Sequence, residues 1–153
     1  MHNGVNNEKI FAVCKLRFEN LQDHEQTLYY FVEDLMLALS FRNCLVGRTY
    51  LRDCLVQVCI ADKHNVNLAE EVYPVIAKRY DCSEASVSKA IRHALITCFN
   101  DGTLKRVNRI FHHVIIGDTP PTNAEFVTTM AILIKRFMRG RDNKSSQITY
   151  FNL

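Results

Sequence analysis

The chain has 153 residues, 48% of them hydrophobic, enough for one well-formed core with a small appendage, and this sets it apart from a disordered regulator. Its formal net charge of +3 is unevenly spread: residues 1–43 hold four Lys/Arg against six Asp/Glu, and residues 44–153 hold fifteen against ten. No apolar run approaches the roughly 20 residues of a membrane span, and no basic-then-apolar leader opens the chain, so a cytoplasmic protein is expected.

Taken in order, Met1 to Asn7 is polar and expected to fray. Ile10 to Phe18 alternates Ile10, Ala12, Cys14, Leu16 and Phe18 with Lys15, Arg17 and Glu19, the pattern of a half-buried strand. From Asp23 to Phe41 the stripe Leu28, Phe31, Val32, Leu35, Met36, Leu39 has the spacing of an amphipathic helix. Strand and helix together read as an N-terminal appendage, residues 1–46. Tyr50 to Ala61 forms the next helix with Leu51, Cys54, Leu55, Val58 and Cys59 inward, and Asp62 to Asn67 is a polar link.

Tyr73 to Cys98 is the most informative stretch. Pro74 stands near a helix start, where its missing N–H costs nothing, and Ile76, Ala77 and Tyr80 share one face. Asp81-Cys82-Ser83 then makes a turn: Asp tolerates the left-handed conformation, Ser83 is a good N-cap, and Glu84 opens a second helix on the positive end of its dipole. That helix carries Val87, Ala90, Ile91, Ala94, Leu95 and Cys98 on one stripe. Ser86, Ser88, Lys89, Arg92 and His93 lie on or beside the other side, in the N-terminal half, where a recognition helix touches base edges. The spacing is that of a helix-turn-helix, and the plain alternative is a helical hairpin with a solvated basic face.

Asn100-Asp-Gly102 stops the helix, and a short helix follows through Leu104, Val107, Ile110 and Phe111, with Lys105, Arg106 and Arg109 on its polar side. These three cations suit phosphates flanking a reading helix, or simply a solvated face. Asp118-Thr-Pro-Pro121 breaks the chain, and Thr122-x-x-Glu125 is a capping box opening a long helix with Phe126, Met130, Leu133, Ile134 and Phe137 inward. His112 and His113, being adjacent, cannot face the same way on a helix and read as structural or surface residues. Arg139 to Ser146 is a basic link, and Ser146 to Leu153 has the composition of a strand that could pair with Ile10 to Phe18, within one chain or between two.

Six cysteines, at 14, 44, 54, 59, 82 and 98, show neither a C-x-x-C pair nor Cys/His ligand spacing, so neither a metal nor another cofactor is expected. Cys54, Cys82 and Cys98 fall on or near apolar faces and read as small core residues. There is no nucleophile with a base, no paired carboxylates in a cleft pattern and no phosphate loop, so an enzyme is not expected.

Four strings, Gly47-Arg-Thr-Tyr-Leu-Arg52, Tyr73-Pro-Val-Ile-Ala-Lys-Arg-Tyr80, Ala90-Ile-Arg-His-Ala94 and Pro121-Thr-Asn-Ala-Glu-Phe126 with the helix after it to Phe137, resemble the C-terminal DNA-binding effector domain of the sporulation-initiation response regulator of spore-forming Firmicutes. The resemblance covers residues 47–138. It implies a mainly α, six-helix domain with the helix-turn-helix at its centre, in a bacterial transcription factor that acts at the nucleoid. Carried over position by position, Arg92 and His93 take base and backbone contacts. Lys89 stands where the family usually has Arg, which keeps charge but loses the planar fork that grips guanine. Ser88 replaces a usual Glu and Ser86 a usual Arg, so the sequence preferred should differ. The 46 residues before Gly47 are too few for a doubly wound receiver, and neither Asp23 nor Asp34 has the βα alternation of a phosphoacceptor site, so control by phosphorylation is not expected.

The expected function is a sequence-specific DNA-binding transcription regulator reading double-stranded DNA with helix 84–99. A protein interaction module that binds an RNA polymerase sigma factor or a related regulator is the alternative. Homodimerisation is expected through residues 1–46 together with the strand in the tail 139–153, because two lone strands need partners and the helix stripe exceeds the family domain. The competing arrangement folds the appendage back on its own chain.

Overall fold

The computed structural model describes residues 23–41, 45–61, 63 and 65–142, and these are mainly α. Helices α1 (Asp23–Ala38), α2 (Leu45–Ile60), α3 (Tyr73–Tyr80), α4 (Glu84–Asn100), α5 (Arg106–Phe111) and α6 (Asn123–Asp142) follow in order, with a π-helical turn, Leu68–Val72, running into α3. Among the described residues there is no strand. The two strand readings, Ile10 to Phe18 and Ser146 to Leu153, lie outside them.

The centre of the fold is α2, which packs against α1, α3, α4 and α6. Surrounded in this way, it buries Tyr50, Leu51, Cys54, Leu55, Val56 and Val58 rather than one stripe, as a helix enclosed by its neighbours must. It also begins five residues before the expected Tyr50, at Leu45. Gly47, a poor helix former, explains the late expectation, and its place here follows from packing: a Cβ at Gly47 would strike the Ala90 carbonyl oxygen and lie 2.9 Å from the Ala94 Cβ, so only glycine lets α2 and α4 cross this closely.

The α1 stripe Leu28, Phe31, Val32, Leu35, Met36, Leu39 is buried, but in the same core as α2 to α6. Phe31 stacks on Phe137 of α6 with ring centroids 4.8 Å apart. The stripe expected to meet a second copy is therefore already covered within the chain. The amphipathic period correctly marked the face to be buried and carried no information about its partner.

Local signals set the other boundaries. Asn67 accepts from the amides of Ala69 and Glu70 at 3.1 and 3.4 Å and so opens the π-helical turn, an element the sequence reading left out. Its five residues are too few to show a period. Gly102 takes a left-handed φ of 79° after α4. The capping box closes reciprocally, the Glu125 amide donating to Thr122 Oγ1 at 3.1 Å and the Thr122 amide to Glu125 Oε2 at 3.0 Å. From there α6 runs on through Arg139 to Asp142, residues expected to begin a flexible link.

Burial also shifts proton affinities. The Cys59 thiol is pushed from its ordinary 9.0 to about 12. Burial pushes the Tyr50 phenol from 10.0 to about 12, helped by its hydrogen-bonded neighbour Cys82. The Cys54 thiol is raised as well, by burial first and the Asp53 carboxylate second. These groups hold their protons in the fold at a pH where the open chain has released them. Their stabilisation is therefore complete below about pH 9 and is lost progressively as pH rises towards 12. Urea melts at stepped alkaline pH are expected to show a flat midpoint that falls above pH 9, and a midpoint that stays level or rises there would contradict this burial.

Candidate nucleic-acid interface

The helix-turn-helix is built from α3, a three-residue turn and α4. Asp81 takes the left-handed conformation at φ 53°, its amide bonded to the Ala77 carbonyl, and the Cys82 amide reaches the same oxygen at 3.0 Å. Ser83 in extended conformation caps α4 by accepting from the Ser86 amide at 3.1 Å. The turn is pinned to α2 from below: the Tyr80 and Tyr50 rings lie 5.2 Å apart, and Tyr50 Oη is 3.6 Å from Cys82 Sγ. On α4, Val87, Ile91, Ala94, Leu95 and Cys98 of the expected stripe are buried, and Ala90 is half-buried.

The opposite side of α4 divides into an open face and an occupied edge. Glu84, Ala85, Ser86, Lys89 and His93 are exposed. Ser86 Oγ lies 2.8 Å from Ser83 Oγ, so this hydroxyl is already shared with the cap. Ser88 and Arg92, one turn apart, are half-buried and face the start of α6. There Arg92 Nη1 donates to the Pro121 carbonyl. Asn123 Nδ2 donates to the Ser88 carbonyl at 3.0 Å and to Tyr73 Oη at 3.2 Å, while Asn123 Oδ1 is buried without a hydrogen-bond partner. Nothing in its sequence context, an unspecified position of the Thr122-x-x-Glu125 box, singles out Asn123 for this role.

The three cations around α5 part company. Lys105 and Arg109 are exposed and one turn apart, Lys105 Nζ standing 3.7 Å from the exposed Asp118 carboxylate, a pair worth little in water. Arg106, turned about 100° from Lys105, points inward and is half-buried. Its Nη1 donates to the Ala38 carbonyl at 3.0 Å and to Ser40 Oγ at 2.9 Å, satisfying the C-terminal end of α1. Within α5, Asn108 Oδ1 accepts from the amides of Ile115 and Ile116 at 2.7 and 2.8 Å and folds the following 112–118 loop back.

Beneath the site runs a buried ionic cluster that the sequence reading also missed. Asp53, 1% exposed, accepts at Oδ2 from Arg79 Nη1 at 2.7 Å and Tyr80 Oη at 2.8 Å, and at Oδ1 from Arg52 Nε at 3.1 Å. Arg52 Nη1 continues to Glu33 Oε1 of α1 at 2.7 Å, and Arg48 Nη2 meets Glu33 Oε2 at 3.3 Å. The signal was present in Leu51-Arg52-Asp53-Cys54, a charged pair inside an otherwise apolar stretch of helix.

A short helix, a left-handed turn and a longer helix with a polar, partly basic outer face define a helix-turn-helix domain. Residues 32–134 match the family described as Sporulation initiation factor Spo0A C terminal, and the chain belongs to that family of DNA-binding effector domains. The match begins inside α1, at residue 32, and ends inside α6, at residue 134. Among the described residues no helix is long and apolar enough to cross a membrane.

Proposed function

We propose that the chain is a sequence-specific transcription regulator that docks α4 in the major groove, with Lys89, Arg92 and His93 directed at bases and Ser86 and Ser88 setting a preference unlike that of relatives with Arg and Glu there. The observation that carries this is the open N-terminal half of α4, where Ser86, Lys89 and His93 stand exposed at helical spacing on a helix whose other face buries Val87, Ile91, Ala94, Leu95 and Cys98. Lys105 and Arg109 hold flanking phosphates. Arg106, tied to α1, takes no part in that flank. Paired recognition helices about 34 Å apart would reach successive major grooves, but any dimer has to be built from surfaces other than the α1 stripe.

Selection of bound sites from random duplex DNA tests the reading and supplies the preferred site. On that site Arg92→Ala and Lys89→Ala are each expected to weaken binding by about 1–3 kcal/mol and to relax preference at one base pair. Lys105→Ala and Arg109→Ala are expected to weaken all duplexes alike, each lowering the salt slope by about 1. Arg106→Ala should leave that slope unchanged. Equal losses on preferred and random duplexes for Arg92→Ala would reduce that residue to a backbone contact.

A second reading is an interaction module that occupies an RNA polymerase sigma factor or a related regulator. It is favoured by the engagement of Arg92 and Ser88 with Pro121 and Asn123, which leaves less of α4 open to bases. A selection that enriches no sequence would support it over the first.

A further inference from the structure

We propose that Asp53 is a positioning residue for DNA recognition: its buried carboxylate sets the angle at which α3, the turn and α4 lie on α2, and through Arg52 and Glu33 it makes α1 part of the same clamp. The inference rests on the DNA-reading proposal above.

Two kinds of contact hold the helix-turn-helix on α2. Apolar packing is non-directional, and the close crossing at Gly47 sets how near α2 and α4 lie. The bonds to Asp53 are directional and charge-assisted, and they grip Arg79 and Tyr80, the last two residues of α3, immediately before the left-handed Asp81. A tilt at this point is carried straight into α4. A buried ion cluster is a poor source of net stability compared with apolar residues of the same volume, whereas the directionality of its bonds here restricts how α3 can turn on α2.

Base recognition needs side chains placed to within a fraction of an ångström. Phosphate contacts from long, flexible Lys and Arg tolerate more. Loosening the clamp should therefore erode discrimination before it erodes general affinity.

The test uses the full chain with Asp53→Asn, which keeps the shape and removes the charge, and Tyr80→Phe, which removes one hydroxyl and keeps the ring against Tyr50. Ile134→Val, a small core change in α6, which supplies no residue to the cluster, is the control for stability. Below the melting temperature, Asp53→Asn is expected to cut the ratio of preferred-site to random-duplex affinity by roughly tenfold or more, the worth of one base contact. Random-duplex affinity should change much less, and Ile134→Val should leave the ratio intact. Amide hydrogen exchange is expected to rise at residues 80–86 in both cluster variants and to stay level in α6.

An unchanged ratio in folded Asp53→Asn, or an equal fall in Ile134→Val, would overturn the proposal. Should Asp53→Asn not fold, Tyr80→Phe is judged by the same two outcomes. A wild-type chain that discriminates between no duplexes would refute DNA reading. The exchange comparison would still judge the clamp, because level exchange at 80–86 overturns it independently.

Discussion

A chain cut to residues 44–153 is expected to be unfolded on its own, although it retains the complete helix-turn-helix and everything after it. The cut removes Leu28, Tyr29, Phe31, Val32, Leu35, Met36, Leu39 and Phe41, all buried. Each large apolar side chain contributes about 1.5–3 kcal/mol when fully buried, so the eight together account for roughly 12–24 kcal/mol before the entropy of ordering α1 is set against it. A whole domain is commonly stable by only about 5–15 kcal/mol. The loss is compounded by the groups left behind: Arg48 and Arg52 lose the Glu33 carboxylate, and Arg106 loses the Ala38 carbonyl. Circular dichroism and near-ultraviolet spectra of the cut chain, compared with a chain beginning at residue 23, isolate the share due to α1. A cooperative unfolding transition in the shorter chain would show that α1 is a dispensable appendage after all.

Replacing Gly47 with alanine is expected to lower stability by about 2 kcal/mol, against the direction that helix propensity alone dictates. In an isolated helix the change would help by about 1 kcal/mol. Here the added methyl group meets the Ala90 carbonyl oxygen, a backbone atom inside the middle of α4 that has no rotamer through which to escape. Either α2 or α4 must move, and overpacking of this kind costs about 1–3 kcal/mol, occasionally more. Because the atom displaced belongs to α4, the reading face should shift as well as loosen. Urea melts measure the first effect, and the site-to-random affinity ratio the second. A gain in stability would mean that the two helices do not approach as closely as described.

These two cases also show what a sequence alone makes legible. The helix-turn-helix could be read because each of its signals acts over four residues or fewer: Pro74 in the first turn of α3, the left-handed Asp81 and the Ser83 cap; the Thr122–Glu125 box that opens α6 is equally local. The same is true of the Val87-to-Cys98 stripe, where the period of one helix is enough. What escaped was set by contacts between distant segments. Gly47 argues against a helix until α4 is placed across it. Arg106 looks like its neighbours Lys105 and Arg109 until the end of α1 arrives beside it. Arg52 and Asp53 look like a solvated pair until Arg79, Tyr80 and Glu33 close over them. Of the candidate site, the exposed Lys89 and His93 were visible from helical phase, while the occupied edge at Arg92 required the chain from Pro121 to Asn123.

The stack of Phe31 on Phe137 joins segments more than a hundred residues apart in the chain. On a ribosome adding roughly 5–20 residues each second, α1 is therefore made on the order of 5–20 seconds before its α6 partner exists. For that interval its apolar stripe faces solvent on the nascent polypeptide, beside an α2 that itself needs covering on several sides. The domain cannot finish folding from its N-terminus inward, and its most vulnerable moment is synthesis, when a holdase chaperone would have the longest access to Leu35, Met36 and Leu39.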